Sequence, residues 1–256
     1  MECNELREKS PAAQEIITIM ESMRDDAQSR HLARFFKTGE GEYGFGDRFL
    51  GIRVPQTRRI VKEIGCGIDF TEIEKLLYCG WHEVRLAGFL LLVAKMKYTF
   101  SKKRKETDEE LAAERKEIVN FYLEHSAQAN NWDLVDLSAP YIVGEFLKDI
   151  NADRGVLYQL SKDSNLWRQR ISIVSTLALI RSRDFDDAIR ISEILLPHQH
   201  DLIRKATGWM LREIGKRDKN TLVGFLNRNH SAMSRTSLRY AIEKFPETER
   251  QYWLKK

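Results

Sequence analysis

The chain has 256 residues, of which 42% are hydrophobic and 31% are charged. This apolar content is enough to bury a core, which excludes a disordered chain, and 14 glycines with 5 prolines are too few for a turn-rich sandwich or barrel. The longest uncharged apolar run covers only residues 86–94, and the N-terminus, MECNELREKS, is polar. We therefore expect neither a membrane span nor a secretory signal.

The net charge of +4 hides an asymmetry between the two halves of the chain. Residues 151–256 hold 20 Lys and Arg against 12 Asp and Glu, whereas residues 1–150 hold 22 against 26. A basic C-terminal half is typical of a surface that faces a polyanion. A solvated helical face is the alternative explanation of such an imbalance.

Cysteines and histidines indicate neither a zinc site nor a hydrolytic triad. Cys3, Cys66 and Cys79 cannot all pair with one another, and none lies in a CxxC motif. This usage fits a reducing compartment, so we expect a cytoplasmic protein. No His–acid–nucleophile pattern is visible. The histidines are assigned to loops and polar turns: His31, His82, His125, His198, His200 and His230.

In chain order, the first predicted helix covers residues 12–23. A Gly-rich segment follows, with five of the 14 glycines in residues 39–53, and this density predicts a loop. Its spacing matches neither GxGxxG after a strand nor GxxxxGK[ST], so a phosphate-cradling loop is not expected. Helix resumes after Val54, with Pro55 in the first turn.

Four later segments repeat one theme, and a weaker copy, SRTSLRYAIEKF, follows them. Each opens with a polar turn and continues as a helix that is apolar on one face. The repetition predicts an all-α solenoid of HEAT-like helical hairpins, whose period is about 40 residues. The four segments are WHEVRLAGFLLLVAKM from Trp81, NWDLVDLSAPYIVGEFL from Asn131, LWRQRISIVSTLALI from Leu166 and DLIRKATGWMLREIG from Asp201.

The segments between the copies complete this architecture. Partner helices are predicted over residues 108–125, 185–196 and 220–229, and Pro140 is assigned to a helix start or kink. The charge-dense stretch 101–110 is predicted to be an exposed connector. We expect one HEAT-like repeat domain over 1–256 with a concave basic groove. Its parts are N-terminal helices in 1–60, the Gly-rich loop in 39–53 and repeats in 70–245.

An indole and a carboxylate share one helical face in the second copy. Trp132 and Asp136 are separated by four residues, which places them about one turn apart on a helix. An acid beside an indole on an apolar helix is a shielded carboxylate and a candidate for chemistry. The structural alternative is a helix cap or a salt bridge to a neighbouring repeat, and this alternative suits Asp133 better.

Indoles recur beside charges in the next two copies. Trp167 lies three residues before Arg170, and Trp209 follows Lys205 by four. Because equivalent helices of a solenoid line one surface, these residues are predicted to share the concave face with the pair of the second copy. Cations that bind phosphates and indoles that contact the sugar suit a DNA backbone. Packing between repeats is the alternative, which we favour for Trp81 and Trp167.

These residues carry a resemblance to a known family. The succession of FLGIRVPQTRR, NWDLVD, LWRQR and IRKATGWMLREIGKR resembles the bacterial DNA alkylation repair family, the AlkD-type alkylpurine DNA glycosylases built from HEAT-like repeats. The resemblance covers roughly residues 32–240. It implies excision of positively charged N3- or N7-alkylated purines from duplex DNA. We expect a monomer that uses no metal and no cofactor.

The resemblance also implies roles for single residues. It places the catalytic carboxylate at Asp136, the flanking aromatic side chains at Trp132 and Trp209, and a phosphate-side cation at Arg170. In LARFFK it places Phe35 where the family has a tyrosine, which removes a hydroxyl near the lesion. Further DNA contacts are expected at Phe35, Lys205, Arg212 and Trp167.

The implied chemistry fits the residues. An alkylated purine that is already cationic leaves without a general acid, so one carboxylate that stabilises the developing sugar cation suffices. Two alternatives stay open: a non-catalytic HEAT-repeat protein that binds DNA structure, and a protein-binding HEAT scaffold. An acid at Asp136 favours the enzyme over a pure backbone binder, and the basic C-terminal half argues against the scaffold.

Overall fold

A computed structural model describes residues 12–256, and the regular structure in this range is helical. The all-α prediction is confirmed, since the described range contains no β-strand and only an isolated bridge between Arg48 and Trp81. Cys3 and the segment MECNELREKS lie outside the described range. No helix among the described residues has both the length and the apolar character needed to cross a membrane.

The chain divides into two compact units, Met1–Ser138 and Ala139–Lys256. The single repeat domain and its concave groove stay predictions. The described helices of the first unit are α1 (Ala13–Ser22), α2 (Asp26–Phe35), α3 (Val54–Ile64), α4 (Phe70–Leu77), α5 (His82–Thr99), α6 (Asp108–Glu124) and α7 (Trp132–Asp136). Those of the second are α8 (Ala139–Phe146), α9 (Gly155–Ser161), α10 (Leu166–Arg181), α11 (Asp186–Leu195), α12 (Asp201–Gly215), α13 (Lys219–Asn229), α14 (Arg235–Ala241) and α15 (Glu247–Lys255).

One long helix forms the centre of each unit. In the first unit α5 packs against α3, α4, α6 and α7, and residues 82–92 are buried without interruption. In the second unit α10 packs against α8, α9, α11 and α12, and residues 170–180 are buried in the same way. The prediction of a single apolar face is therefore wrong for these two helices. A helix that has neighbours on several sides is buried all round.

The polar turns before the repeated helices are helix caps. The side chain of Asn165 accepts hydrogen bonds from the backbone N–H groups of Trp167 and Arg168 at the start of α10. Asn131 accepts from the N–H of Trp132 at the start of α7. Such caps satisfy donors that the first turn of a helix leaves unpaired. The predicted bounds of α6, α11 and α13 agree with the structure within one residue at each end.

The connections also match the sequence pattern. Residues 39–53 form turns and extended backbone, as the glycine density predicted, and α3 begins at Val54 with Pro55 in its first turn. Pro140 lies in the first turn of α8, where its missing N–H leaves no hydrogen bond unmade. The charged connector ends at Thr107, which caps α6. Prolines and glycines thus mark where helices begin and where the chain turns.

A glycine allows two helices of the second unit to approach closely. A Cβ atom on Gly208 of α12 would lie 2.5 Å from the backbone oxygen of Ser237 on α14, so any other residue would separate the helices. The Ser237 hydroxyl donates a 3.0 Å hydrogen bond to the backbone oxygen of Arg204. This close contact fixes the packing of α12, which also carries Trp209, against α14.

Candidate functional site

A buried glutamate holds the end of the Gly-rich loop against α5. The carboxylate of Glu83 accepts hydrogen bonds from the backbone N–H groups of Leu50 (2.9 Å), Gly51 (2.8 Å) and Ile52 (3.1 Å). Three donors satisfy the charge of a residue that is only 2% exposed. Hydrogen bonds to a charged acceptor are about twice as strong as neutral ones, so this contact fixes the path of the loop.

Gly51 is required at this point of the loop. Its φ of +92° lies in the region that favours glycine. A Cβ atom there would also lie 2.2 Å from the backbone oxygen of Asp25, which precedes α2. The loop therefore passes close against α2, which carries Phe35.

A histidine connects the loop, α5 and α7. The Nδ1 atom of His82 lies 2.7 Å from a carboxylate oxygen of Asp47 in the loop, and Nε2 lies 2.9 Å from one of Asp133 in α7. All three side chains are buried, and Arg85 donates a further hydrogen bond to Asp47. We call Asp47, His82 and Asp133 the histidine bridge. The prediction that His82 lies in a loop or polar turn is wrong, because it is the first residue of α5.

The imidazole of His82 is positively charged at neutral pH. Burial on its own lowers the pKa of His82, but the carboxylates of Asp133 and Asp47 more than offset this and raise the pKa to about 9. Burial raises the pKa of Asp47, whereas the hydrogen bonds and charges of His82 and Arg85 lower it to a net value below its usual range. Two carboxylates and two cations thus balance one another inside the first unit.

A column of aromatic rings rests on the histidine bridge. The imidazole of His82 stacks on Phe49 with 4.5 Å between ring centroids, and Phe49 stacks on Phe36 at 5.1 Å. Phe36 stacks in turn on Trp132 at 5.2 Å, while Phe35 meets the indole edge-on at 5.8 Å. The indole at the start of α7 is therefore held by Phe35, the last residue of α2, and by Phe36, which the loop residue Phe49 supports in turn.

Trp132 and Asp136 line one cavity of about 440 Å³, as their spacing predicted for a shared helical face. Both side chains are half-buried, and Phe35, which is 58% exposed, lies at the same cavity. A carboxylate beside mostly apolar walls acts through a lower dielectric than it would in water. We call this space the aromatic cavity, and its lining is Leu32, Phe35, Phe36, Phe49, Ile52, Arg53, Val54, Pro55, His82, Glu83, Leu86, Trp132, Asp133, Asp136 and Leu137.

Asp133 has the structural role that its position suggested. Asn131, not Asp133, caps α7, and Asp133 instead forms a buried ion pair with His82. The salt-bridge alternative is therefore the one that the structure shows for this residue. Asp133 thus contacts His82 of α5. Both Asp133 and Asp136 line the aromatic cavity.

The remaining predicted site residues lie in the second unit. Trp167 is 8% exposed, in keeping with a packing role. Arg170 is also buried, and its guanidinium donates a 2.6 Å hydrogen bond to the backbone oxygen of Leu202. Trp209 is half-buried on α12. The structure assigns Arg170 a contact between α10 and α12, and its phosphate contact stays a prediction.

Two cations of α12 form ion pairs at the protein surface. Lys205 lies 2.7 Å from Asp201 one turn earlier, and its side chain is 40% exposed. Arg212 pairs with Glu243, which follows α14. The Lys205–Asp201 pair is exposed and contributes little to stability, whereas the Arg212 side chain is only 18% exposed. Among the described residues no cluster of three or more His, Cys, Asp or Glu side chains could hold a metal ion.

Sequence reasoning missed Asp47, His82 and Glu83. His82 and Glu83 are adjacent charged or polar residues at the start of a helix that is otherwise apolar over residues 84–94, apart from Arg85. Buried polar residues at such a place need partners, which is the one signal that was available. The partners lie 35 and 51 residues away along the chain, and no local pattern identifies them.

Comparisons with known proteins agree with the fold and with the motifs. A family model described as "DNA alkylation repair enzyme" matches residues 16–245. A solved structure described as a predicted DNA alkylation repair enzyme from Enterococcus faecalis is similar to this chain with a TM-score of 0.66 and 15% identity. That match covers 88% of this chain and 98% of the other, and at this identity it shows a shared fold. No curated protein matches the sequence.

The raised pKa of His82 predicts how stability depends on pH. A histidine with a pKa of about 9 in the folded state and an ordinary value near 6.5 when unfolded stabilises the fold fully below pH 6.5. This contribution, on the order of 3 kcal/mol, is lost as the pH rises from 6.5 through 9. Urea unfolding between pH 6 and 10 measures it. A free energy of unfolding that stays constant or rises over this window would contradict the prediction.

Proposed function

Because the chain belongs to the DNA alkylation repair enzyme family, we propose that it is a monofunctional DNA glycosylase that acts on alkylated duplex DNA. Its substrates are purines that alkylation at N3 or N7 has made cationic, and it acts as a monomer without a metal or cofactor. The observation that carries the proposal is the position of Asp136 and Trp132 on the wall of the aromatic cavity. A shielded carboxylate beside an indole suits the stabilisation of a cationic sugar.

The reaction needs little help at the leaving group. When the bond between C1′ and the purine nitrogen breaks, its electron pair goes to the base and neutralises the positive charge. Positive charge then develops on the deoxyribose, and water adds to C1′ and loses a proton. The difficult step is therefore the formation of an oxocarbenium-like sugar, which a fixed negative charge stabilises.

Asp136 has the role of that negative charge in this proposal. Its carboxylate lies at a cavity whose walls are mostly apolar, where a charge–charge interaction is stronger than in bulk water. It also orients the attacking water. Trp132 lies beside it and presents a π-face to the same developing cation.

The other residues of the proposed site bind DNA or complete the sugar contacts. Trp209 on α12 is proposed to contact the sugar as Trp132 does. Phe35 is exposed at the aromatic cavity. It offers an apolar ring edge at the position where the family has the hydroxyl of a tyrosine. The proposed phosphate contacts are Arg170, Lys205 and Arg212, with Trp167 as a packing residue beside them.

Release of free base is the direct test of this function. The protein is incubated with methylated duplex DNA in buffer with EDTA, and released 3-methyladenine and 7-methylguanine are quantified by chromatography with mass detection. We expect both bases to appear faster than they do from DNA incubated without protein. EDTA should not slow their release, since the proposed chemistry needs no metal. Protein that binds the duplex but releases neither base would favour the non-catalytic DNA-binding alternative.

The salt dependence of DNA binding tests the proposed phosphate contacts. Lys205→Ala should weaken binding to any duplex sequence and lower the slope of log K against log salt by about one unit, as expected for one lost phosphate contact. Lys75→Ala is the matched control, because Lys75 forms a similar ion pair with Glu72 at 2.6 Å on α4. Equal slopes for the parent and both variants would contradict a phosphate contact at Lys205.

A further inference from the structure

The helix that carries Trp132 and Asp136 is too short to hold its own orientation. α7 has 5 residues, and isolated helices shorter than about 12 residues are marginal in water. Leu134 and Val135 are fully buried and fix the side of α7 that faces the core. The hydrophobic effect itself is non-directional, so a polar contact with defined geometry restricts the rotation of the helix about its axis more closely.

Asp133 supplies that polar contact, and His82 is its partner. One carboxylate oxygen of Asp133 lies 2.9 Å from Nε2 of His82. The other, Oδ1, is buried and has no hydrogen-bond partner within the part of the chain that the structure describes. The imidazole is itself fixed on its opposite side by Asp47, which Arg85 also holds. The histidine bridge therefore connects α7 to α5 and to the Gly-rich loop, which Glu83 and Arg85 of α5 hold in turn.

We propose that His82 is a positioning residue, which sets the rotation of α7 and so determines where Trp132 and Asp136 lie in the aromatic cavity. This inference rests on the proposed glycosylase reaction, for which Trp132 and Asp136 must be correctly placed. His82 acts through Asp133 and not on the sugar. It is thus a different kind of residue from Asp136.

Helix geometry shows how sensitive the site is to this contact. Successive residues of an α-helix are about 100° apart, so Asp133 lies about 60° from Asp136 around the axis. A rotation of α7 by about 20° would move an atom about 5 Å from the axis by about 1.7 Å. A misplacement of about 1 Å can cost a catalytic site about 10²-fold in rate. A small rotation of this helix therefore matters to the reaction.

The positive charge of His82 is essential to this role. Both ring nitrogens face carboxylates, and only the imidazolium can donate from both. The charged groups that surround it are Asp47 from the loop, Asp133 from α7 and Arg85 from α5. A neutral residue in its place would leave two carboxylates facing each other, and their repulsion would move α7, which is the least anchored of these elements.

The test combines a spectroscopic signal of Trp132 with the excision rate. The indole N–H signal of Trp132 is assigned in ¹H–¹⁵N spectra from its loss in Trp132→Phe. His82→Gln should shift this signal and lower single-turnover excision of 7-methylguanine at saturating protein at least about 10-fold, while affinity for duplex changes less than about twofold. His82→Arg, which keeps a cation between the carboxylates, should restore part of both. His31→Gln, at an exposed histidine of α2, should change neither.

A second variant covers the case in which His82→Gln does not fold. His82→Gln combined with Asp47→Asn removes one charge of each sign, so the buried charges stay balanced, and it should show the same shift of the Trp132 signal. A folded variant whose Trp132 signal stays at the parent position would overturn the inference. A shifted signal with excision at the parent rate would also overturn it, because the moved helix would then not affect the reaction. A shifted signal in the variants together with a parent that releases no base would uphold the positioning of α7 and overturn the proposed function instead.

Discussion

A buried imidazolium between two carboxylates is the interaction on which the candidate site depends. His82 joins a carboxylate of the Gly-rich loop to one of α7, and both Asp47 and Asp133 are buried. Removing one partner of a buried ion pair typically costs about 3–5 kcal/mol, because the remaining charge is left unpaired. The Gly-rich loop, α5 and α7 are therefore held together by these charges. The column of aromatic rings from Phe49 to Trp132 stacks on the imidazole of His82.

The second unit presents a different electrostatic picture. Residues 151–256 carry a net excess of cations, but Lys205 and Arg212 already have carboxylate partners within the unit. That excess already counts both carboxylates, so residues 151–256 remain net positive with these ion pairs formed. Because the exposed Lys205–Asp201 pair is weak, the proposed phosphate contact at Lys205 would cost little when it replaces that pair. Binding of this kind is sensitive to salt and indifferent to sequence, which suits an enzyme that searches for damage.

Features of the sequence that depend on near neighbours could be predicted well. Helix bounds follow from caps such as Asn165, and the shared position of Trp132 and Asp136 follows from a spacing of four residues. The histidine bridge could not be predicted, since it joins residues 47, 82 and 133, which only the folded chain brings together. Arg170 shows the reverse case: its place in the repeat suggested a DNA contact, whereas its burial and its bond to Leu202 depend on how α10 and α12 pack.

One substitution tests most directly the proposal that the charge of Asp136 stabilises a cationic sugar. Asp136→Asn keeps the size of the side chain and removes its charge, and Asp186→Asn removes the same charge from an exposed position on α11. Single-turnover excision of 7-methylguanine from a defined duplex is measured for both variants and the parent. If the proposal holds, the excision rate of Asp136→Asn falls by roughly 10²–10³ while its duplex affinity is retained, and Asp186→Asn matches the parent. Excision by Asp136→Asn at the parent rate would contradict it.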